Sequence, residues 1–174
     1  LGVKIHYGQR LGQGFTLDDL RRQGFKAVFL AIGAQGSYDL GVPGERPDLQ
    51  GYVAGIDFLR RLNQGDPVTV GHRAVIVGGG NVAIDCDPVE VADAEEEGVH
   101  FEFLANPTRI LERDGRVVGV ECVRMALGEP DDSGRRRPVP LEGSEFIVKA
   151  DMVIPAIGQA VEAPFRRPRD RHYR

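Results

Sequence analysis

An apolar strand that runs straight into glycines and then into helix-forming residues leaves few folds open. His72 to Val77, H-R-A-V-I-V, is followed by G-G-G-N-V-A-I-D, in which Gly78, Gly80 and Ala83 match G-x-G-x-x-G/A. Glycines at this spacing allow a tight turn and let backbone N–H groups approach a pyrophosphate, which then sits at the positive end of the following helix. Such a turn can also be purely structural. The strand before it and the helix formers after it favour nucleotide binding and an α/β, Rossmann-like lobe.

The unit beyond the glycines is short. A dinucleotide-binding helix runs about three turns, and a second strand then brings an acid to the ribose 2′-hydroxyl, or an Arg to a 2′-phosphate, about 20 residues on. Here Asn81 to Cys86 meets Asp87-Pro88. Proline inside a helix costs ~3 kcal/mol, whereas a capping Asp with Pro next opens a new helix. The sequence predicts one helix cut short and another from Val89 to Glu97, with Asp85 a helix-surface acid. V-H-F-E-F-L at 99–104 alternates as a strand but offers no ribose-reading acid or Arg pair.

Upstream, Val3–Tyr7 alternates as a short strand, and Thr16 caps a helix, T-L-D-D-L-R-R-Q-G, that Gly24 closes. Phe25 to Ile32 is nearly continuously apolar and predicts a strand buried on both faces. Residues 33–52, rich in Gly, Pro and Asp and containing V-P-G-E, read as a loop between lobes. Gly55–Gln64 has helical spacing and stops before Gly65. Downstream, Thr108–Glu112 and Arg116–Met125 flank Asp114-Gly115, a two-residue hairpin signal. Residues 127–144 read as a loop, Glu145–Lys149 as a short strand, and A-D-M-V-I-P-A-I-G at 150–158 as a second apolar strand ending in glycine. That ending echoes A-V-F-L-A-I-G at 27–33. The echo predicts a nucleotide lobe, 51–149, inserted into a domain that holds residues 1–50 and 150–159, followed by a flexible basic tail, 160–174. On this reading 1–34 and 150–159 share one sheet, with Phe29 and Val153 in it and the Gly78 lobe packed separately.

Composition narrows the function. A formal charge of −4 disfavours a general nucleic-acid binder, and the acidic run Glu95–Glu97 and the arginines after Phe165 read as solvated surface. Cys86 and Cys122 are too few and too far apart for a redox pair, a cluster or a structural zinc, and the four histidines are scattered, so no metal site is expected. No apolar run approaches the ~20 residues that cross a bilayer, and the expectation is a soluble, cytoplasmic protein.

The stretches F-T-L-D-D-L, G-F-K-A-V-F-L-A-I-G-A-Q, V-P-G-E, G-I-D-F-L-R, A-V-I-V-G-G-G-N-V-A-I-D, E-E-G-V-H-F, V-R-M-A-L-G-E-P-D-D-S-G-R-R-R-P-V-P-L-E-G-S-E-F and D-M-V-I-P-A-I-G-Q, spread over residues 1–159, carry a family resemblance. The chain resembles the small, flavin-containing subunit of glutamate synthase and its relatives, including the flavin and nicotinamide portions of dihydropyrimidine dehydrogenase. The resemblance implies a split FAD lobe and an inserted lobe that binds NADPH. Hydride would pass to the flavin and electrons onward through iron–sulfur clusters of a partner, such as a larger glutamate synthase-type subunit. The cofactors carry that chemistry, so no catalytic side chain is implied. By position, Gly78, Gly79, Gly80, Asn81 and Val82 would meet the NADPH pyrophosphate. Ala31, Ile32, Gly33 and Ala34, with Ala156, Ile157 and Gly158, would lie near the flavin. The family continues its helix where Cys86 meets Asp87, then adds a strand ending in a basic pair that reads the NADPH phosphate, about two dozen residues that this chain lacks. The family's FAD fingerprint is expected upstream of residue 1. The chain alone is therefore expected to be inactive and not to retain FAD, the alternative reading being a non-catalytic nucleotide-binding or interaction fragment.

Overall fold

The computed structural model describes residues 2–34, 36–78 and 95–160. The chain divides into two compact units, Leu1–Gln35 with Val161–Arg174, and Gly36–Ala160.

In the first unit, β1 (Arg10–Leu11) pairs with β2 (Gly14–Phe15), and α1 (Leu17–Arg22) follows. The predicted cap is present as a reciprocal box: Thr16 Oγ1 accepts from Asp19 N at 3.3 Å, and Thr16 N donates to Asp19 Oδ2 at 2.7 Å. Hydrogen bonds from Thr16 and Arg22 hold the Asp19 carboxyl down at about 2. Gly24 takes the left-handed φ of 93° expected at the helix end. Two predicted strands are absent. Val3–Tyr7 has no ladder, and the apolar run 25–32 forms neither helix nor strand, with Phe29 92% exposed. Apolar character alone makes no strand without a neighbour to satisfy its N–H and C=O groups.

The second unit holds β3 (Gly36–Ser37), α2 (Gly55–Gln64), β4 (Ala74–Val77), β5 (Ala105–Arg113), β6 (Arg116–Pro130), β7 (Arg136–Lys149), β8 (Met152–Pro155) and β9 (Gln159–Ala160). β5, β6 and β7 form one antiparallel sheet. Its first turn is the predicted one, Asp114 and Gly115 both having positive φ, 53° and 73°. The second corrects the expected loop at 127–144: β6 and β7 continue as paired arms, Met125↔Pro140 to Pro130↔Arg136. Asp131 closes them. Its Oδ1 accepts from Ser133 N (2.9 Å), Ser133 Oγ (2.6 Å) and Arg135 N (3.1 Å), which lower the carboxyl's pKa. The strand expected at 99–104 is also corrected, since β5 begins only at Ala105. Leu104 turns the chain with φ 50°, Leu104 O accepts from Met125 N at 2.6 Å, and Glu102 pairs with Arg124 at 2.6 Å.

β4 and β8 form a parallel pair in the register Ala74↔Met152 to Val77↔Pro155. Residues 51–53 line the other edge of β8: Val153 N donates to Gly51 O (2.7 Å) and Val53 N to Val153 O (3.1 Å). Both edges of Val153 are thereby filled. The expectation that Val153 and Phe29 share a sheet, with the Gly78 strand packed apart from 150–159, is corrected: the partner of Val153 is Val75, and no further edge is open. Val153 is also the buried link of the core, joining Leu49, Ile110, Val117, Val120 and Cys122. Gly51, φ 91°, is where backbones come too close for a side chain, because a β-carbon there would collide with Asp151 O.

Candidate functional site

Parallel pairing fixes where a site can form. Because β4 and β8 run the same way, their carboxyl ends finish together, and ligands of open α/β sheets bind outside such ends. Gly78 follows β4, and Ala156, Ile157 and Gly158 follow β8. Ala156 N donates to Val77 O at 2.6 Å, so the two exits are tied. A β-carbon on Gly78 would stand 3.3 Å from Ala156 O. Such a contact is tight for any side chain at 78.

Two more elements frame the same end. The first residue of α2, Gly55, lies so near that a β-carbon would be 2.9 Å from Pro155 O and 3.5 Å from Ala156 Cβ. Gly158, φ 135°, faces Tyr38, whose ring would be 3.3 Å from a β-carbon there, and β3 pairs antiparallel with β9 beside it. The carboxyl end of the pair is thus built of glycine, alanine and main chain, with the Tyr38 ring beside Gly158. Of the site residues expected from sequence, the fold brings Gly78, Ala156, Ile157 and Gly158 together. Ala31, Ile32, Gly33 and Ala34 sit in the first unit outside any helix or strand, with Gly33 at φ 67°. Gly79, Gly80, Asn81 and Val82 lie outside the described residues, as do the helix start at Asp87-Pro88 and the tail.

Charged groups gather elsewhere. At the opposite end of the pair, Asp151 takes His72 N and Arg73 N, each at 2.9 Å, into its carboxylate, and these amides, that of Arg73 foremost, lower its pKa. A shallow pocket of about 310 Å³ opens beside it, lined by His72, Arg73, Val117, Val118, Lys149 and Asp151. In the loop 38–52, the Glu45 carboxylate accepts from Leu40 N and Gly41 N, both at 2.7 Å, and from the Tyr52 hydroxyl. Burial works to raise Glu45, but the donated hydrogen bonds prevail and its pKa falls; burial and then Glu45 push the Tyr52 phenol up. Neither Asp151 nor the Glu45–Tyr52 bond was foreseen. V-P-G-E showed a turn, but nothing in it points seven residues ahead to Tyr52. Cys122 is buried, which raises its thiol, and no grouping of His, Cys, Asp or Glu among the described residues could hold a metal. None of the described helices is long and apolar enough to cross a membrane.

No family model matches the chain. It is 48% identical to the beta subunit of an NADPH-Fe(3+) oxidoreductase of Geobacter sulfurreducens over 192 residues, covering 95% of this chain and 28% of that protein. It is 44% identical to the beta subunit of an NADP(+)-dependent formate dehydrogenase of Moorella thermoacetica, covering 95% and 27%. With the glutamate synthase [NADPH] small chain of Halomonas elongata the identity is 34%, covering 95% and 42%. The chain thus spans less than half the length of each of these relatives. An alignment over 192 residues also exceeds the 174 of this chain, so the relatives carry interior residues with no counterpart here. Among solved structures, FprA of Mycobacterium tuberculosis in complex with NADPH superposes with a TM-score of 0.62 at 22% identity, over 83% of this chain and 52% of that one. That likeness shows a shared mixed α/β, Rossmann-like fold. Over 95% of its length the chain is thus similar to part of the glutamate synthase small chain and of these beta subunits.

Proposed function

We propose that this chain is part of an NADPH-dependent oxidoreductase in which hydride passes from NADPH to FAD and electrons continue to iron–sulfur clusters of a partner. The observation that carries the reading is the meeting of Gly78 with Ala156–Gly158 at the carboxyl ends of two parallel strands. Main chain and small residues at the ends of parallel strands suit a phosphate-bearing ligand held by backbone donors. There Gly78 to Val82 would hold the NADPH pyrophosphate, and Ala31–Ala34 with Ala156–Gly158 would lie against the flavin. The bound cofactors supply the redox chemistry; the chain binds and orients them. The relatives named as subunits support a partner, proposed as a larger glutamate synthase-type subunit or another iron–sulfur acceptor. A cytoplasmic location belongs to the same proposal.

The test is titration calorimetry with NADPH. Saturable binding is expected, and Gly80→Glu, which sets a carboxylate against the phosphates, should weaken it at least tenfold while the circular dichroism spectrum is kept. Equal binding by the variant would remove the glycine turn from the site.

A further inference from the structure

The amino end of the β4–β8 pair gathers basic side chains that the nucleotide reading does not use. His72 and Arg73 precede β4, Lys149 ends β7, and all three line the pocket of about 310 Å³ beside Asp151. The fold brings them together, since Arg73 and Lys149 are far apart in the chain. Their main chain is held closely. Asp151 N donates to Arg73 O at 3.0 Å while the Asp151 carboxylate takes the amides of His72 and Arg73. Gly71 admits that carboxylate, for a β-carbon there would stand 2.1 Å from Asp151 Oδ1. On the other side Lys149 pairs with Gly119, and Ala150 N donates to Val118 O at 3.4 Å.

The backbone of the pocket is therefore set, and its cations are left for another partner. Among the described residues neither Arg73 nor Lys149 makes an ion pair. Asp151 is the one acid in the lining, and each of its oxygens already accepts a main-chain N–H, so it repels an anion less than a bare carboxylate would. Two permanent cations against one such carboxylate leave the pocket net positive in a chain whose formal charge is −4. Local charge of this sign draws anions. The rest of the lining, Val117, Val118 and Ala150, is apolar, and Val118 is 40% exposed to water.

We propose that this pocket binds a phosphomonoester, with Arg73, Lys149 and His72 around the phosphate and the organic part over Val117 and Val118. Phosphate suits three donors better than a carboxylate does, because each donor can meet its own oxygen, and Arg and Lys both recognise it well. The apolar lining favours an ester over the free ion, since an organic group takes Val118 out of water. The site is separate from Gly78 and Ala156–Gly158. The four residues of β4, about 13 Å of extended chain, lie between the two, so the proposal does not depend on the nucleotide reading.

The 174-residue chain, labelled with nitrogen-15, should be titrated by NMR with phenyl phosphate and, separately, with inorganic phosphate. Phenyl phosphate is expected to give saturable shifts at the amides of His72, Arg73, Val118 and Lys149 to Asp151, and to bind at least about threefold tighter than inorganic phosphate. The double variant Arg73→Gln, Lys149→Gln should keep the circular dichroism spectrum and bind phenyl phosphate at least about tenfold more weakly. If the double variant fails to fold, Lys149→Gln alone should still weaken binding about threefold. No saturable shift by about 20 mM, shifts confined to Gly78 and Ala156–Gly158, or undiminished binding by the folded variant overturns the site. Inorganic phosphate binding as tightly as phenyl phosphate overturns the ester.

Discussion

The sheet of β5, β6 and β7 and the run Phe25–Ile32 start from similar material. R-V-V-G-V-E-C-V in β6 and F-K-A-V-F-L-A-I are both dense in strand formers, yet Val117 and Val120 are 3% and 0% exposed while Phe29 is 92% exposed. The difference lies in the partner. β6 meets β5 across a two-residue turn and β7 across a short one, so its ladder closes locally at little entropic cost. Phe25–Ile32 would need a distant edge, and β8, which its ending resembles, has both edges occupied. Strand propensity becomes a strand only where a neighbour completes it.

The strongest way to break this comparison is to empty the sheet's core. Ile110, 2% exposed, packs with Leu49, Val120 and Val153, and Ile110→Ala should cost about 2–5 kcal/mol in urea unfolding. A loss under 1 kcal/mol would mean that the two regions differ less than their burial implies. Next in size is Gly51→Ala. It places a β-carbon at φ 91° against Asp151 O and disturbs the bond from Val153 N to Gly51 O; a cost of ~1–3 kcal/mol is expected from the same measurement.

Tyr52→Phe removes the hydroxyl that Glu45 accepts and leaves the carboxylate its two amides from Leu40 and Gly41. The expected loss is ~0.5–1.5 kcal/mol. A smaller effect concerns acid. Asp151 has a folded pKa below its unfolded value, so its contribution is present above the usual carboxylate pKa of about 3.9 and is lost as pH falls through the lowered folded value. Asp151→Asn should flatten that part of the stability–pH curve. An unchanged acid limb would show that the amides of Arg73 and His72 do not hold the carboxylate in solution.

Local chemistry was legible in the sequence and distant pairing was not. Thr16 with Asp19, Gly65 at φ 74° after α2, and Asp114-Gly115 all act within a few residues, and each stands where its residue type requires. The motif at Gly78 likewise announced that a strand would end there. The sequence could not show that β4 lies beside β8, because that register is set by packing around Val153 and by Asp151 catching two amides at 72 and 73. The arms beyond Met125 were hidden for another reason: Pro130, Pro138 and Pro140 signal a loop, although a hairpin tolerates proline where no ladder N–H is needed.

The smallest effect sharpens the comparison most. Phe29 is, with Phe25, one of the two largest apolar side chains of its run, and in a buried strand its truncation to alanine would cost ~3–5 kcal/mol. At 92% exposure it leaves almost no apolar surface to return to water, so Phe29→Ala should change stability by less than ~0.5 kcal/mol, as an ordinary surface substitution does. Urea unfolding of Phe29→Ala beside Ile110→Ala, followed in the same buffer, gives the contrast directly. If the Phe29 variant loses 1 kcal/mol or more, the run is covered in solution, and the absence of a partner strand would no longer explain why so apolar a segment carries no ladder.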